Sequence, residues 1–586
     1  MVKYVNVDNP FVSDLIDKAN ISVLLGSGVS IWKPTGLPTG QAISLSVFRA
    51  LFCIKDEIIT KSEPKYRIQG IIQKIPFEVI MEKCPVPQLV ESVVRKIYNI
   101  SRPNPVHKRF AKLLLDGEIK SIITTNYDCC IDHCLRQDTD ISYPVTKILR
   151  EADYSAGIHS HIYFKIHGSA EDENSDTLIV RLRQEGRLPV WKREILKQLL
   201  CGNTLLVIGY SGLDFDICHE LVGSGIKRII WNVLNRDQIT LNARQVLEKL
   251  DGYVIEGDMR YLHSRRFAID AGCTLEQPVD VESIFRSQFS SENKLLWQAR
   301  LLNVVACSSF VFPLLKSGVK NISPNISRLI NVELAQAYFH RGKYKRSALM
   351  FMRSAYCIPQ TDQNRKDRAL LLLNAADAWR CYGKFYAAFG CIRMAEIINT
   401  NYIDSSDKEI SCRIAIIKLA LLRNLYRIAV RFSFQKLINA VQSKAKAYIE
   451  GLPSHFVQIG AWDELQHLRL WADRLGLPQN TVLADDNIGP PHPRDGYIHL
   501  GQTVSQMMAF RDDVEVQGLH NTRNVEELIE MAEFLGSLPE LWKLRYLVLK
   551  KIRSSRSFCN LFEFLLIFIR CEYTIGVRAY MLVMGG

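Results

Sequence analysis

Four short polar segments carry residue types that could do chemistry. Gly26-Ser27-Gly28-Val29-Ser30 leaves its backbone N–H groups unhindered, as a phosphate-holding turn requires, and a helix N-terminus is expected behind it. Thr124-Thr125-Asn126-Tyr127-Asp128 offers a carboxamide and a carboxylate two residues apart. Lys165-Ile166-His167-Gly168-Ser169 offers an imidazole, the side chain that ordinarily titrates nearest neutral pH. Gly209-Tyr210-Ser211-Gly212-Leu213-Asp214 supplies a second glycine turn with a carboxylate. Each alone is weak. Ile31 stands where a dinucleotide fingerprint needs its third glycine, and Ser, Asn, Asp and Gly are favoured in caps and turns for local reasons. His167 alone could equally be a core histidine, and Asn126 a cap.

Their placement raises the weight. Apolar runs at Ile21–Leu25, Lys120–Thr124, Ile162–Ile166, Thr204–Ile208, Arg228–Val233 and Tyr253–Ile255 alternate with longer helical patterns across residues 1–270. That alternation predicts a Rossmann-like α/β domain around a parallel sheet. The four polar segments follow four of these runs, at the carboxyl ends where open α/β sheets hold ligands. After about residue 270 the strand signals fade, and an all-α, repeat-like region is expected: a connector over 271–330, paired helices over 331–475, and a loop with further helices over 476–586.

Leu334 to Tyr344, followed by Phe351, Ala355 and Pro359, resembles a tetratricopeptide repeat; Leu372, Ala375, Ala378, Trp379, Gly383, Phe385, Ala388 and Ala395 form a second copy. Gly342 and Gly383 are 41 residues apart, longer than that repeat's usual period of about 34. Any antiparallel helical pair would share much of this pattern. Residues 478–500, rich in Pro and Asp, read as a linker, and helical patterning resumes over Leu528–Leu549.

Bulk composition narrows the class. With 47% hydrophobic and 23% charged residues, the 586-residue chain is globular, neither disordered nor fibrous. No apolar run follows a basic start, and Phe558–Ile569 is too short to span a bilayer, so a cytoplasmic protein without a membrane partner is expected. Fifteen cysteines without a C-x-x-C pair read as reduced thiols. His133 among Cys129, Cys130 and Cys134 is expected to pack rather than bind metal, and no metal is expected elsewhere. A net charge of +13 permits attraction to nucleic acid, but the densest basic stretches, Arg341–Arg346 and Lys543–Arg556, fall on helical patterns where a solvated face is expected. Nucleic acid is not expected as a partner.

In order and type, these segments resemble the sirtuin-like family, and specifically its branch in prokaryotic defence proteins. Gly26-Ser-Gly-Val-Ser30 is similar to the family's G-A-G-x-S, Thr125-Asn126-Tyr127-Asp128 to T-x-N-x-D, and His167-Gly168 to its catalytic His-Gly. Gly209-Tyr210-Ser211 stands at G-T/Y-S, Asn232 where an Asn meets the adenosine ribose, and Gly257-Asp258 near the closing turn. The resemblance covers residues 10–265. It implies that NAD+ is bound by Gly26, Ser27, Gly28, Ser30, Thr125, Asp128, Gly209, Tyr210, Ser211, Asp214, Asn232 and Asp258. It further implies that Asn126 holds the ribose and orients a water, and that His167 contacts ribose hydroxyls as general base. Asp128 would hydrogen-bond nearby hydroxyls or fix its turn.

The departures choose the reaction. Ala170–Gly202 contains only Cys201, not the paired cysteines that hold zinc in deacetylating sirtuins, and Gly36-Leu37-Pro38-Thr39-Gly40 replaces their P-D-F-R-G. The expected activity is therefore hydrolysis of NAD+ to nicotinamide and ADP-ribose. An NAD- or ADP-ribose-binding regulatory module without turnover is the alternative, and a protein deacylase a more distant one. By the same resemblance the protein would act in antiphage, abortive-infection defence as a homo-oligomer, its helical region meeting a phage protein or a partner defence protein. Glu78, in Ile75-Pro-Phe-Glu-Val-Ile80, resembles a recurrent element of this branch with no assigned role. Asn104 and His107 are expected to cap and pack a helix start.

Overall fold

A computed structural model of the chain describes residues 2–478 with internal gaps, the longest at 53–76, and only scattered residues of 451–474. Gly342, residues 479–500, Leu528–Leu549, Lys543–Arg556 and Phe558–Ile569 lie outside the described residues.

The eight strands are β1 (Lys3–Asn6), β2 (Ile21–Leu25), β3 (Ser121–Thr124), β4 (Val145–Ile148), β5 (His161–Lys165), β6 (Thr204–Ile208), β7 (Arg228–Val233) and β8 (Tyr253–Glu256). They form one sheet in the order β1-β8-β7-β6-β2-β3-β5-β4, and every pair is parallel. The central strands are buried on both faces, β2 and β6 along their whole length, which is why they read in sequence as continuous apolar runs. The two edges were not legible. β1 and β4 are Lys-Tyr-Val-Asn and Val-Thr-Lys-Ile, mostly exposed or half-buried, because a strand covered on one side needs no such run.

Topology fixes the ligand crevice. From β2 the chain pairs with β3 on one side and later with β6 on the other, so the strand order reverses there. The turns after β2, β3 and β6 must splay around a gap at their carboxyl ends.

One expectation fails at the first turn. Ser27–Ser30 is a single 3₁₀ turn, and the next α-helix starts only at Gly40. Pro34, Gly36 and Pro38 interrupt helix formation between them. The glycine-rich turn therefore has no long helix behind it to supply a macrodipole.

Beyond the sheet all described elements are helical. Helices Val281–Gln288 and Ser291–Val304 share one apolar core with Gly40–Phe52 and Pro87–Tyr98, and Trp297 Nε1 donates to the Ile80 carbonyl at 3.1 Å. The helical region thus shares a core with helices of the first hundred residues, a cluster separate from the two that flank the sheet. Farther on, Pro324–His340 packs on Tyr344–Tyr356, and Arg365–Tyr382 on Phe385–Thr400. Ala348, Phe351, Ala355, Ala375, Ala378, Ala388 and Ala395 are buried between them, where small side chains let helices approach closely. Gly383 closes its helix in the left-handed conformation, φ 85°. No described helix is long and apolar enough to cross a membrane.

Candidate functional site

The crevice at the sheet's carboxyl edge is a cavity of about 800 Å³. Ser27, Gly28, Ser30, Thr125, Asn126, Asp128, His167, Gly209, Tyr210, Ser211, Asp214, Asn232 and Asp258 all line it. Gly26 does not. It lies behind the wall, where a Cβ would sit 2.4 Å from Tyr210 Cα, so this position is kept bare by the packing of two turns. Gly28 does face the cavity, but its N–H already donates to the Gly209 carbonyl at 2.9 Å, and Gly209 itself has φ +64°. Much of the glycine content thus serves the close approach of one turn to another.

Asn126 is held rigidly. Its backbone N–H donates to Thr124 Oγ1 at 3.0 Å, and its Nδ2 donates to the Gly26 carbonyl at 3.1 Å and to Ser30 Oγ at 3.4 Å. A carbonyl can only accept, so the amide nitrogen must face Gly26. Asn126 Oδ1 is left buried with no hydrogen-bond partner among the described residues. A buried orphan acceptor at a cavity wall invites a ligand hydroxyl or water.

A chain of bonds behind Asn126 sets that orientation. Asn104 and His107 form a capping box at helix Pro105–Leu115, as expected from sequence. His107 Nδ1 accepts from the Asn104 N–H at 3.3 Å. A neutral imidazole then carries its proton on Nε2, which faces Ser30 Oγ at 3.2 Å. Burial lowers the His107 pKa, so the ring is neutral. Ser30 in turn donates to Asp128 Oδ2 at 2.8 Å, and Asn104 Nδ2 donates to the Val29 carbonyl at 2.8 Å, pinning the glycine-rich turn. His107 therefore does more than cap: it reaches the site through Ser30. The signal was its spacing from Asn104, which sequence can interpret only locally.

Ligand atoms of His107, Asp128 and Cys130 lie within 4.8 Å of one another. Both imidazole nitrogens and the Asp128 carboxylate are engaged in the bonds just described, and burial and Asp128 push the Cys130 thiol far up, away from the thiolate a metal needs. The donor chemistry suits a hydrogen-bond network.

The opposite wall is built differently. His167 is buried, and its Nε2 lies 3.2 Å from both Asp216 oxygens. Burial opposes a charged ring here, but Asp216, by charge and hydrogen bond, and Asp214 outweigh it and raise the His167 pKa. Asp216 was missed from sequence, although Asp214-Phe215-Asp216 stands at the same strand end. Glu78, on helix Phe77–Glu82, lines the cavity as well. Burial and the charge of Asp214 push its carboxyl up to about 8. Asp214 is raised to about 6 by burial and by Asp216.

Toward the far end of the crevice, Asn232 Nδ2 donates to the Ile255 and Gly257 carbonyls at 3.1 and 3.0 Å, tying the ends of β7 and β8 together. Its carbonyl oxygen is the group left to meet a ligand. Asp258 caps Arg260 N–H at 3.0 Å and pairs with its guanidinium, which stacks 3.7 Å over the Trp32 ring. Tyr210 stacks on Trp231, ring centroids 5.7 Å apart.

Residues 120–227 match the family described as SIR2-like domain. The matched segment contains the Asn126, His167 and Gly209–Asp216 elements and supports the sirtuin-like family. No curated protein matches the chain. A SIR2-like domain fits NAD-dependent enzymatic activity in general; the reaction must be argued from the site.

Proposed function

We propose that the protein is an NAD+ glycohydrolase, cleaving NAD+ to nicotinamide and ADP-ribose. The observation that carries this reading is the unpartnered Asn126 Oδ1, fixed in a buried wall of the cavity that His167 also lines. As the C1′–N bond breaks, its electron pair neutralises the pyridinium nitrogen and positive charge develops on the ribose. A water attacking C1′ must be oriented and must lose a proton. Asn126 Oδ1 accepts a hydrogen bond from that water or from a ribose hydroxyl, and its rigid anchoring avoids reorganisation during the reaction. His167, tethered to Asp216, is the polar group positioned for the ribose hydroxyls. Hydrolysis needs no channel for a peptide, in keeping with the single Cys201 between residues 170 and 202.

The wider role follows from the resemblance alone. The chain acts in antiphage defence by depleting NAD+, as a homo-oligomer in the cytoplasm. Its helical pairs form a tetratricopeptide-like surface that receives the trigger. Stacked helical pairs offer an extended surface suited to a protein partner.

The test is nicotinamide release from NAD+ by the purified full-length protein, alone and with candidate phage proteins. Release is expected, falling by about 10²–10⁴-fold in Asn126→Ala and His167→Ala. NAD+ binding without release in any assembly state would replace the hydrolase with a binding module. Release that requires an acyl-lysine peptide would replace it with a deacylase.

A further inference from the structure

The cavity holds more acidic groups than the proposed reaction has so far used. Asp216 is committed to His167 through both of its oxygens. Asp214 and Glu78 remain, and both line the cavity together with Asn126 and His167. They come from separate elements, Asp214 from the turn after β6 and Glu78 from the first turn of helix Phe77–Glu82. Asp214 Oδ2 is buried and has no hydrogen-bond partner within bonding geometry among the described residues, although the neutral Tyr210 hydroxyl lies close enough to favour the ionised carboxyl, as the charge of His167 does.

We propose that Asp214 and Glu78 work as a carboxyl pair sharing one proton, Asp214 as the catalytic base that takes the proton of the attacking water and Glu78 as its neutral partner. This rests on the hydrolase reading above. The step balances as follows: the water oxygen bonds to C1′, the C1′–N electron pair leaves on nicotinamide, and one water proton passes to the Asp214 carboxylate, which returns it to solvent.

His167 is poorly suited to that task, because its partnership with Asp216 favours the charged ring. A second carboxylate beside Asp214 would repel the anionic dinucleotide, and a neutral Glu78 avoids this. Two carboxyls that line one cavity and feel each other's charge cannot both ionise readily. The surroundings agree. Glu78 feels Asp214 and Asp216 as like charges and His167 as the opposing one. Tyr98, from helix Pro87–Tyr98, faces it as a neutral hydroxyl that donates to the Pro38 carbonyl at 2.8 Å. Lys192 acts on Asp216 rather than on the pair, and its Nζ is bound to the Ile166 carbonyl.

The test is the pH dependence of nicotinamide release by the full-length protein and two variants. Wild type should give a bell, rising near pH 6 and falling near pH 8 as the pair loses its first and second protons. Glu78→Gln, permanently neutral, should keep the acid limb and lose the alkaline one. Asp214→Asn should lose about 10²–10⁴-fold at every pH. An unchanged alkaline limb in Glu78→Gln, or an Asp214→Asn protein within about threefold of wild type, overturns the pair. Should wild type release no nicotinamide, the hydrolase reading falls, and carboxyl ¹³C NMR decides the pair independently. A resonance titrating near 8 should vanish in Glu78→Gln and move down in Asp214→Asn. Its absence, or its indifference to Asp214→Asn, refutes the proton sharing.

Discussion

The two walls of the cavity are built on opposite electrostatic principles. On the wall carrying Asn126, described donors meet acceptors: His107 to Ser30, Ser30 to Asp128, Asn126 to Gly26. Its histidine is neutral. On the wall carrying His167, three carboxyls surround one imidazole, and two of them are raised toward neutral pH. A network of anchoring bonds fixes where an atom sits, here the unpartnered Asn126 Oδ1; an over-acidic one fixes how easily a proton moves. On the proposed reading, the first wall orients the substrate and the second handles protons.

The largest test of this division is Asp216→Asn. It leaves the Asn126 wall intact but removes the charge that holds His167, and turnover should fall about 10²–10⁴-fold while NAD+ affinity, followed by calorimetry, changes little. Equal losses in binding and turnover would dissolve the distinction.

Next comes Lys165→Met, beneath the satisfied wall. Lys165 is fully buried, lies 3.2 Å from Asp132, and donates to the Asp128 carbonyl. Removing it leaves the buried Asp132 carboxylate with only Lys147 and Tyr163 as partners, and denaturant melts should show a loss of up to about 3–5 kcal/mol. Burial opposes ionisation of Asp132, but Lys165 and Lys147 hold it down at about 2. With a depressed folded value, this contribution is complete above the ordinary 3.8 and is lost as pH falls toward 2. Acid melts of wild type and Lys165→Met should therefore converge over that window.

The smallest effect is expected from Ser30→Ala. It takes one weak anchor from Asn126, together with the Ser30 bonds to Asp128 and His107 behind it, while the stronger Asn126 bond to Gly26 remains. The expected result is about a tenfold fall in kcat with KM nearly constant, a change of about 1.4 kcal/mol. A fall as large as that of Asn126→Ala would make Ser30 a direct participant.

The central sheet was legible in the residue pattern alone, since strands buried on both faces must be apolar along their length. So were the polar turns at their ends, since glycine and small polar residues there have few other uses in combination. Residues 30, 126, 167 and 214 could be named because they follow those strands. The edge strands could not, because β1 and β4 need only one covered face and carry no apolar run. The helix N-terminus expected behind Gly26–Ser30 is replaced in the structure by a 3₁₀ turn. Which polar groups come together depends on packing that no local pattern encodes. Asp216 and Glu78 come from segments 138 residues apart, yet each feels the other's charge across the cavity wall. Protonation depends on distance, burial and like charge, all of which are set by packing rather than by residue type. That is why the carboxyls that sequence could place but not assign a task were decided by the fold.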